Sequence, residues 1–409
     1  MELEKLFTSA LGIEEPIYIE SVEFKNSELH IYLNFYKGSK FACPLCEIGN
    51  CDVHDTVEKE WRHLNFFQYQ CFLHFPLPRI KCGKCGVHHF KPEWSRPESG
   101  FTALFEAFVI MLAKGGMPYS EMSRIVGEGD KRLRRIVDHY VEKAYKAKDL
   151  SAVTSVGIDE TSSKKGHNYV TVVTDHSNGD VIFVTEGKDS ETIRKFVEEL
   201  PKHDGTSENI TEITMDMSAA FIKGAKENFP GTEITFDRFH VMKLLNEAVD
   251  AVRRSEQKQN PLLKKSRYVW LKNRNNLSKT QLETLQNLEN ENLETAKAYQ
   301  LKCTFQDIYA NAKTADEAEI LLHSWMDLAC ESGLKPMADF VDTLCEHWYG
   351  IIRFWTSRLT SGICEGVNSV IQEIKRVARG YRNMTNFINT IYLRASKIKL
   401  PLSPFTHSI

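Results

Sequence analysis

Residues 155–160, Ser-Val-Gly-Ile-Asp-Glu, form a short β-branched run that ends abruptly in acid. Such a run reads as a buried strand delivering a carboxylate, Asp159, to a sheet edge. Two further strands are expected at 167–174 and 180–185. The turn signal Asn178-Gly179 separates them and makes the start of an antiparallel meander. Helical spacing follows at 191–200, then a second apolar run ending in acid at 210–216. A helical stretch at 218–228 and a short strand at 233–236 complete the series.

That order matches a ribonuclease H-like core, in which the first and fourth strands lie side by side. Asp159 and Asp216, 57 positions apart, are therefore expected to meet at one edge and to share a metal ion. The expected fold class is multidomain α/β: a ribonuclease H-like mixed sheet with a helical insertion, preceded by a zinc-binding module and a helix-turn-helix.

At 409 residues the chain is too long for one core, given about 150 residues per domain. The boundaries expected are a zinc module at 1–95, a helix-turn-helix at 96–150, the first part of the core at 151–240, a helical insertion at 241–347, and a closing helix with a basic tail at 348–409. Hydrophobic residues make up 42% and charged residues 26%, close to the globular average. The net charge of −3 argues against coating nucleic acid non-specifically, although a global sum hides local patches. No apolar stretch approaches the roughly 18 residues of a membrane span, and the acidic start at 1–16 lacks the order of a signal peptide. A cytoplasmic location without membrane contact is expected. Of ten cysteines, four form two Cys-x-x-Cys pairs, which in a reducing compartment suggests metal before disulfide.

Cys43-Pro-Leu-Cys46 and Cys82-Gly-Lys-Cys85 each make a tight knuckle, and two knuckles complete the tetrahedral shell of one structural Zn²⁺. A redox dithiol would need only one pair. The 35 intervening residues leave room for an inserted hairpin. Tyr69, Cys71, Leu73, Phe75 and Leu77 alternate within it, so Cys71 is assigned to a strand core. Cys51, His54, His88 and His89 are nearby substitutes that a full quartet does not need.

After a linker at 90–100, residues 101–114 carry Leu104, Phe105, Phe108, Met111 and Leu112 at helical spacing, and Gly115-Gly116 ends the helix. Ser120 can cap a second helix running to Val126, and Asp130 a third, in helix-turn-helix layout. The third opens Lys131-Arg132-Leu133-Arg134-Arg135. Leu133, Ile136 and Val137 supply its core, while Lys131, Arg132, Arg134 and Arg135 are available to DNA. A solvated basic face on a three-helix connector is the plainer alternative.

From Val241 to about 347 the chain reads as repeated amphipathic helices, with caps such as Ser278 and no strand-like runs. Beyond it, 360–368, Thr-Ser-Gly-Ile-Cys-Glu-Gly-Val-Asn, leads into a helix expected at 369–379. Glu365 belongs in its first turn or just before. Val367, Val370, Ile371, Ile374 and Val377 give this helix a face to dock on the sheet. Seven Lys or Arg against one Glu between 371 and 400 leave a local charge of +6. Arg376, Arg379 and Arg382 are placed on a phosphate backbone, with a solvated basic face again the alternative. Three oxygen ligands, Asp159, Asp216 and Glu365, suit Mg²⁺ or Mn²⁺. Two such ions can activate an attacking oxygen and stabilise a leaving one in phosphoryl transfer. Glu160, Asp175 and Asp237 are spare carboxylates.

These residues resemble the Asp-Asp-Glu insertion-sequence transposases of the ISL-three type over nearly the whole chain. The resemblance rests on the two cysteine knuckles, Gly157-Ile158-Asp159-Glu160, Asp216-Met-Ser-Ala-Ala-Phe221, Asp237-Arg-Phe-His240, Ser361-Gly-Ile-Cys-Glu365-Gly-Val-Asn368 and Arg379-Gly-Tyr-Arg382. It implies a bacterial DNA transposase, nucleoid-associated when bound, with Asp159, Asp216 and Glu365 as catalytic metal ligands. Such an enzyme binds double-stranded terminal inverted repeats, cleaves, and joins 3′-hydroxyl ends to target DNA, as a homodimer or higher multimer. Asp237 and His240 look like an accessory Asp-x-x-His signature, with capping and core packing as the alternative. Cys364 departs from the bulkier or more polar residue expected before Glu365. Two competing readings are a catalytically silent, domesticated DNA-binding regulator and a ribonuclease H-like nuclease or resolvase.

Overall fold

The computed structural model describes residues 2–164, 166, 168–291, 293–359 and 362–401. After helix α1 (Glu2–Leu11) come strands β1 (Ile17–Lys25), β2 (Glu28–Phe35), β3 (Lys40–Phe41), β4 (Cys51–Phe66), β5 (Tyr69–Cys82) and β6 (Gly86–His89). They form one sheet in the order β1-β2-β5-β4-β3, with β6 on β5. The gap between the cysteine pairs is indeed a hairpin, β4 against β5. Its alternation buries Cys71, Leu73, Phe75 and Leu77 in the module's own core, since successive strand residues point to opposite faces.

The linker at 90–100 is anchored. Trp94 meets Trp61 and Phe75 edge-on, and Arg96 reaches the fully buried Glu106. Glu106 also accepts hydrogen bonds from Ser99 Oγ at 2.7 Å and Tyr140 Oη at 2.8 Å. Removing one partner of such a buried network typically costs about 3–5 kcal/mol.

Three helices follow: α2 (Ala103–Lys114), α3 (Tyr119–Val126) and α4 (Asp130–Lys146). Their details correct the sequence reading. The buried face of α2 is Phe105, Val109, Ile110 and Ala113, whereas Met111 is exposed, because α2 must face both α4 and the linker. Pro118 and Gly129, rather than Ser120 and Asp130, occupy the N-cap positions of α3 and α4, and Asp130 lies in the first turn. Leu133, Ile136 and Val137 are buried as expected.

Strands β7 (Ser155–Lys164), β8 (Asn168–Asp175), β9 (Asp180–Glu186), β10 (Glu212–Met215) and β11 (Glu233–Phe236) form a second sheet, ordered β11-β10-β7-β8-β9. His167, expected to open β8, lies outside the described residues. The first three strands are antiparallel neighbours, whereas β10 runs parallel to β7 and to β11. The first and fourth strands are thus adjacent. Helix α5 (Ser190–Glu199, capped by Asp189) leads from β9 to β10, and α6 (Ala219–Asn228, with Ser218 at its N-cap) from β10 to β11.

The sheet is buried on both faces, which explains its nearly continuous apolar runs. Val156, Ile158, Val173, Ile213 and Phe236 belong to a core shared with α5, α6 and the helical insertion. Val170, Val172, Val181 and Val184 belong to another core, shared with α2, α4 and the last helices. The helical tract after β11 contains α7 (Arg238–Glu256), α8 (Arg267–Leu271), α9 (Lys279–Glu289), α10 (Glu294–Asn311), α11 (Ala315–Glu331), α12 (Lys335–Glu346), α13 (Trp348–Ile352) and α14 (Phe354–Ser357). Ser278 caps α9 in a capping box with Gln281.

Two helices close the chain, α15 (Gly362–Val377) and α16 (Met384–Ala395). The first begins seven residues before the expected 369 and ends two before the expected 379. Gly362, Gly366 and Asn368 read as helix breakers, but tertiary packing of Cys364 and Val367 overrides their weak propensity. The reversal after α15 uses positive φ at Arg379 (+53°) and Gly380 (+96°). Thr360 and Ser361 lie outside the described residues. Among the described residues no helix is long and apolar enough to cross a membrane.

Candidate active site

The cysteine quartet is assembled by two turns. Cys43 N donates to Ile48 O at 2.9 Å and Glu47 N to Cys43 O at 3.0 Å, folding the first knuckle. The β5-β6 hairpin pairs Cys82 with Gly86, whose φ of +88° suits glycine, and folds the second. The four sulfurs all lie within 4.8 Å of one another, and Cys46 Sγ is 3.6 Å from Cys82 Sγ. Backbone N–H groups of Cys85 and Lys84 pull the Cys82 thiol down to about 6, while the neighbouring Cys46 sulfur and burial push the Cys85 thiol up. Four convergent thiols suit tetrahedral Zn²⁺. Cys51 is buried nearby, with its Sγ directed at Ile48 O. Cys71 is strand core, and burial pushes its thiol up to about 12.

The acids are brought together by strand register. Thr214 pairs with Gly157 and Met215 with Phe236 across parallel neighbours. Counting onward places Asp159, Asp216 and Asp237 in one row across β7, β10 and β11. The bond from Asp237 N to Met215 O at 2.9 Å carries the ladder to that row. All three acids line one small depression, together with His240 and Cys364. Burial pushes the Asp159 carboxyl up to about 6. The Glu160 amide and His240 oppose that rise, and the neighbouring charges of Asp216 and Asp237 add to it. A half-buried carboxylate among other acids calls for a cation, and its hard oxygen donors fit a divalent one.

Asp237 has a second task. Its Oδ1 accepts from Phe239 N at 2.9 Å and caps α7, while its Oδ2 is 3.7 Å from His240 Nε2. Glu365, in the first turn of α15, lines an adjoining groove of about 750 Å³ that Asp237 also lines. That groove runs along α7 past Arg238, Lys243 and Arg254 to Arg267 at the start of α8. Glu365 therefore shares a groove with Asp237, while Asp159 and Asp216 lie in the depression that Asp237 also lines. Among the described residues, the cysteines are the only group of three or more ligand atoms within 4.8 Å of one another.

Helix α15 is tied to β7 by side chains one turn apart. Asn368 Nδ2 donates to Asp159 Oδ2 at 2.6 Å, Gln372 Nε2 to Thr161 Oγ1 at 2.6 Å, and Lys375 Nζ to Ser162 Oγ at 2.9 Å. Sequence reasoning missed Asn368 as a site residue, although a helix starting at Gly362 would have put it one turn from Glu365. Cys364 explains itself here. Its Sγ is 3.2 Å from Thr174 Oγ1, and a Cβ on Gly157 would sit 2.5 Å from it. The strand and helix approach so closely that a bulkier residue at 364 would not fit.

The seven basic residues separate into groups. Arg132 pairs with Glu128 and covers the Phe101 ring, 4.4 Å from its centroid. Lys131, Arg135 and Arg376 are exposed. Arg134, Arg379 and Arg382 line one cavity, which Arg124 and Arg394 share.

Comparison with known proteins agrees with this organisation. A transposase family of the ISL3 Asp-Asp-Glu type matches residues 156–391, more than half of the chain. The helix-turn-helix domain of transposase family ISL3 matches 91–141. The zinc-finger of the IS204/IS1001/IS1096/IS1165 transposases matches 39–85. The transposase for insertion sequence element IS1001 of Bordetella parapertussis is 28% identical over 398 residues, covering 94% of this chain and 97% of that protein. The transposase for IS1557 of Mycobacterium tuberculosis is 24% identical over 417 residues, covering 93% and 92%. A simian T-cell lymphotropic virus intasome, solved with PP2A regulatory subunit B56 gamma, aligns over 43% of this chain and 63% of its own, at 13% identity and a TM-score of 0.18, too loose a likeness to bear on the fold. The Asp-Asp-Glu domain and the zinc finger carry divalent-metal binding with them, and the helix-turn-helix carries DNA binding. With a family match through the sheet, the closing helices and the insertion between them, this chain belongs to the ISL3 family of insertion-sequence transposases, enzymes that cleave and join DNA.

Proposed function

We propose that Asp159, Asp216 and Glu365 hold two Mg²⁺ or Mn²⁺ ions in a ribonuclease H-like core, and that the chain cuts and joins the terminal inverted repeats of its element there. The observation that carries this reading is the row of acids on β7 and β10, with Asn368 of α15 bonded to Asp159 one turn from Glu365. When bound, such ions activate the attacking oxygen and stabilise the leaving one. The protein's own share is positional. Asn368 fixes one Asp159 oxygen, the Glu160 amide the other at 2.7 Å, and the Ser218 amide holds Asp216 at 3.0 Å. Lys131, Arg132, Arg134, Arg135, Arg376, Arg379 and Arg382 supply contacts to duplex DNA, with assembly as a homodimer or higher multimer on paired ends. Asp237 and His240 act as accessories that brace the acids from α7. The working units are the zinc module to residue 95, the helix-turn-helix to 150, the core at 151–240 and 348–409, and the insertion at 241–347.

The direct test is strand transfer of pre-cleaved inverted-repeat ends with Mg²⁺ or Mn²⁺. Joined product is expected. Cleavage without joining would make the chain a nuclease or resolvase, and binding without either would make it a regulator.

A second test uses the contact between strand and helix. Gly157→Ala must displace Cys364 Sγ and, with it, the start of α15. A misplacement of about 1 Å can cost on the order of a hundredfold in rate. Cleavage should fall about that much while end binding holds, and adding Cys364→Ala should restore most of it. A single variant with unchanged cleavage would show that the spacing of β7 and α15 does not set the rate.

A further inference from the structure

Two basic segments far apart in sequence meet in one concave space. A cavity of about 610 Å³ opens between α3, the start of α4 and the reversal that joins α15 to α16. Arg124 and Arg134 line it from the helix-turn-helix side, and Arg379, Arg382 and Arg394 from the other. Only two of its lining residues, Glu121 and Asp130, are acidic.

Two of the cations are held in place. Arg134 lies over the Tyr119 ring, 4.3 Å from its centroid. Arg394 donates to Glu373 Oε2 at 3.1 Å, with 13% of its side chain exposed. Its guanidinium passes so close to Gly116 that a Cβ there would meet it at 3.0 Å, at a φ of +85°. Burial raises the Tyr381 phenol. Its hydrogen bond to Thr390 lowers it again, as do Arg134 and Arg394, so cations from both sides face one ring. Among the described residues, Arg124, Arg134, Arg379 and Arg382 have no carboxylate within ion-pair distance. Uncompensated charge lining a concave space concentrates the field on whatever anion enters.

We propose that this cavity is a composite phosphate site that takes one backbone phosphate of the bound DNA end, gripped jointly by Arg134 of α4 and Arg382 beyond α15. The inference rests on the transposase reading and adds a function to it. The helix-turn-helix and the closing helix, which carries Glu365, share a core. A phosphate held between them fixes the span from the place where the end is read to the place where it is cut. Guanidinium is suited to the task, since it binds phosphate oxygens in a planar fork.

The test is a double-mutant cycle on end binding with Arg134→Ala, Arg382→Ala and the pair. If both hold one phosphate, each single variant loses about tenfold in affinity. The pair then loses little more than either, and the salt slope falls by about one charge rather than two. Random duplex should lose the same factor, because a phosphate carries no sequence. Lys131→Ala, on an exposed residue outside the cavity, should add its full loss to that of Arg382→Ala. Arg124→Ala with Arg382→Ala, both exposed side chains, repeats the cycle should Arg134→Ala disturb folding. Additive losses and a slope change of two would assign the arginines to separate phosphates and overturn the proposal, as would unchanged affinity. A thermal shift with inorganic phosphate that disappears in the paired variant, combined with unchanged DNA affinity, would assign the cavity to free phosphate instead. Failure of the wild-type protein to bind ends at all would count against the functional reading and not against the cavity alone.

Discussion

Replacing Glu365 with Gln is expected to lower cleavage and joining by about three orders of magnitude while end binding stays near normal. The substitution keeps the size and one carbonyl oxygen but removes a negative charge. On the proposed reading that charge helps to hold cations beside Asp159 and Asp216; burial is the main cause of the raised Asp159 carboxyl, and the charge of Asp216 adds to it. A loss of several kcal/mol in transition-state stabilisation corresponds to this factor, at about 1.4 kcal/mol per tenfold. Binding should survive because Lys131, Arg134 and Arg135 stand on α4, and Glu365 lies on another element with none of them in its groove. Glu373 makes a poor control, since it holds Arg394 at 3.1 Å. Glu283, exposed on α9, is better. Asp237→Asn resolves the remaining choice between neighbours. Asp237 is in the strand row and caps α7, and an Asn side-chain oxygen caps a helix about as well as an Asp one, so Asp237→Asn should remove the charge from the row while leaving stability nearly unchanged. Activity that survives Glu365→Gln but vanishes with Asp237→Asn, at equal stability, would move the third metal ligand to Asp237.

Much of this site could be read from the sequence where a local signal was strong. The Cys-x-x-Cys spacing places two sulfurs per turn, so the quartet followed without any knowledge of the hairpin between. The adjacency of β7 and β10 followed from element order, because a strand that returns through a helix pairs in parallel with a limited set of neighbours. What escaped depends on distances between elements. Gly362, Gly366 and Asn368 lower helix propensity, so the start of α15 was placed too late, and Asn368 was lost with it. The packing of Cys364 against Gly157, the burial of Val367 and the bonds of Asn368, Gln372 and Lys375 to β7 show why a helix forms there. Arg134 and Arg382 were each readable as DNA contacts, but no pattern 248 residues long announces that they share a cavity. The capping errors at Ser120 and Asp130 have the same origin. A side chain suited to a cap marks a possible start, and the packing of Met122 and Leu133 decides which turn is used.

Replacing Cys82 with Ser should reduce bound zinc from about one to well under one per full-length chain. A serine hydroxyl at this site is not a thiolate, whereas the Cys82 sulfur receives two backbone N–H groups that favour its charged form. Losing it opens a four-thiol shell to three, and structural zinc in comparable small modules contributes on the order of 10 kcal/mol to folding. The damage should be graded along the module. Near the metal, the turns at 43–48 and 82–86 would be left with only a few backbone hydrogen bonds and the short β5-β6 pairing, and they should become the first sites of proteolysis. Farther away, Leu29, Ile31, Leu73 and Phe75 are fully or nearly fully buried without any help from the ion, so the central strands β2, β5 and β4 should persist. Cys71→Ser and Cys51→Ser separate liganding from simple cysteine loss. Cys71 faces the strand core and Cys51 points its sulfur at Ile48 O, so both variants should keep their zinc even where they lose stability. Zinc content unaffected by Cys82→Ser, or lost equally in the Cys71 variant, would mean that the quartet is not the ligand set. End binding measured on the same samples then shows how far the zinc module supports recognition. Because Arg62 of β4 donates to Val126 O at 3.0 Å at the end of α3, a module loosened only at its metal end should leave the helix-turn-helix in place, and affinity should fall far less than zinc occupancy.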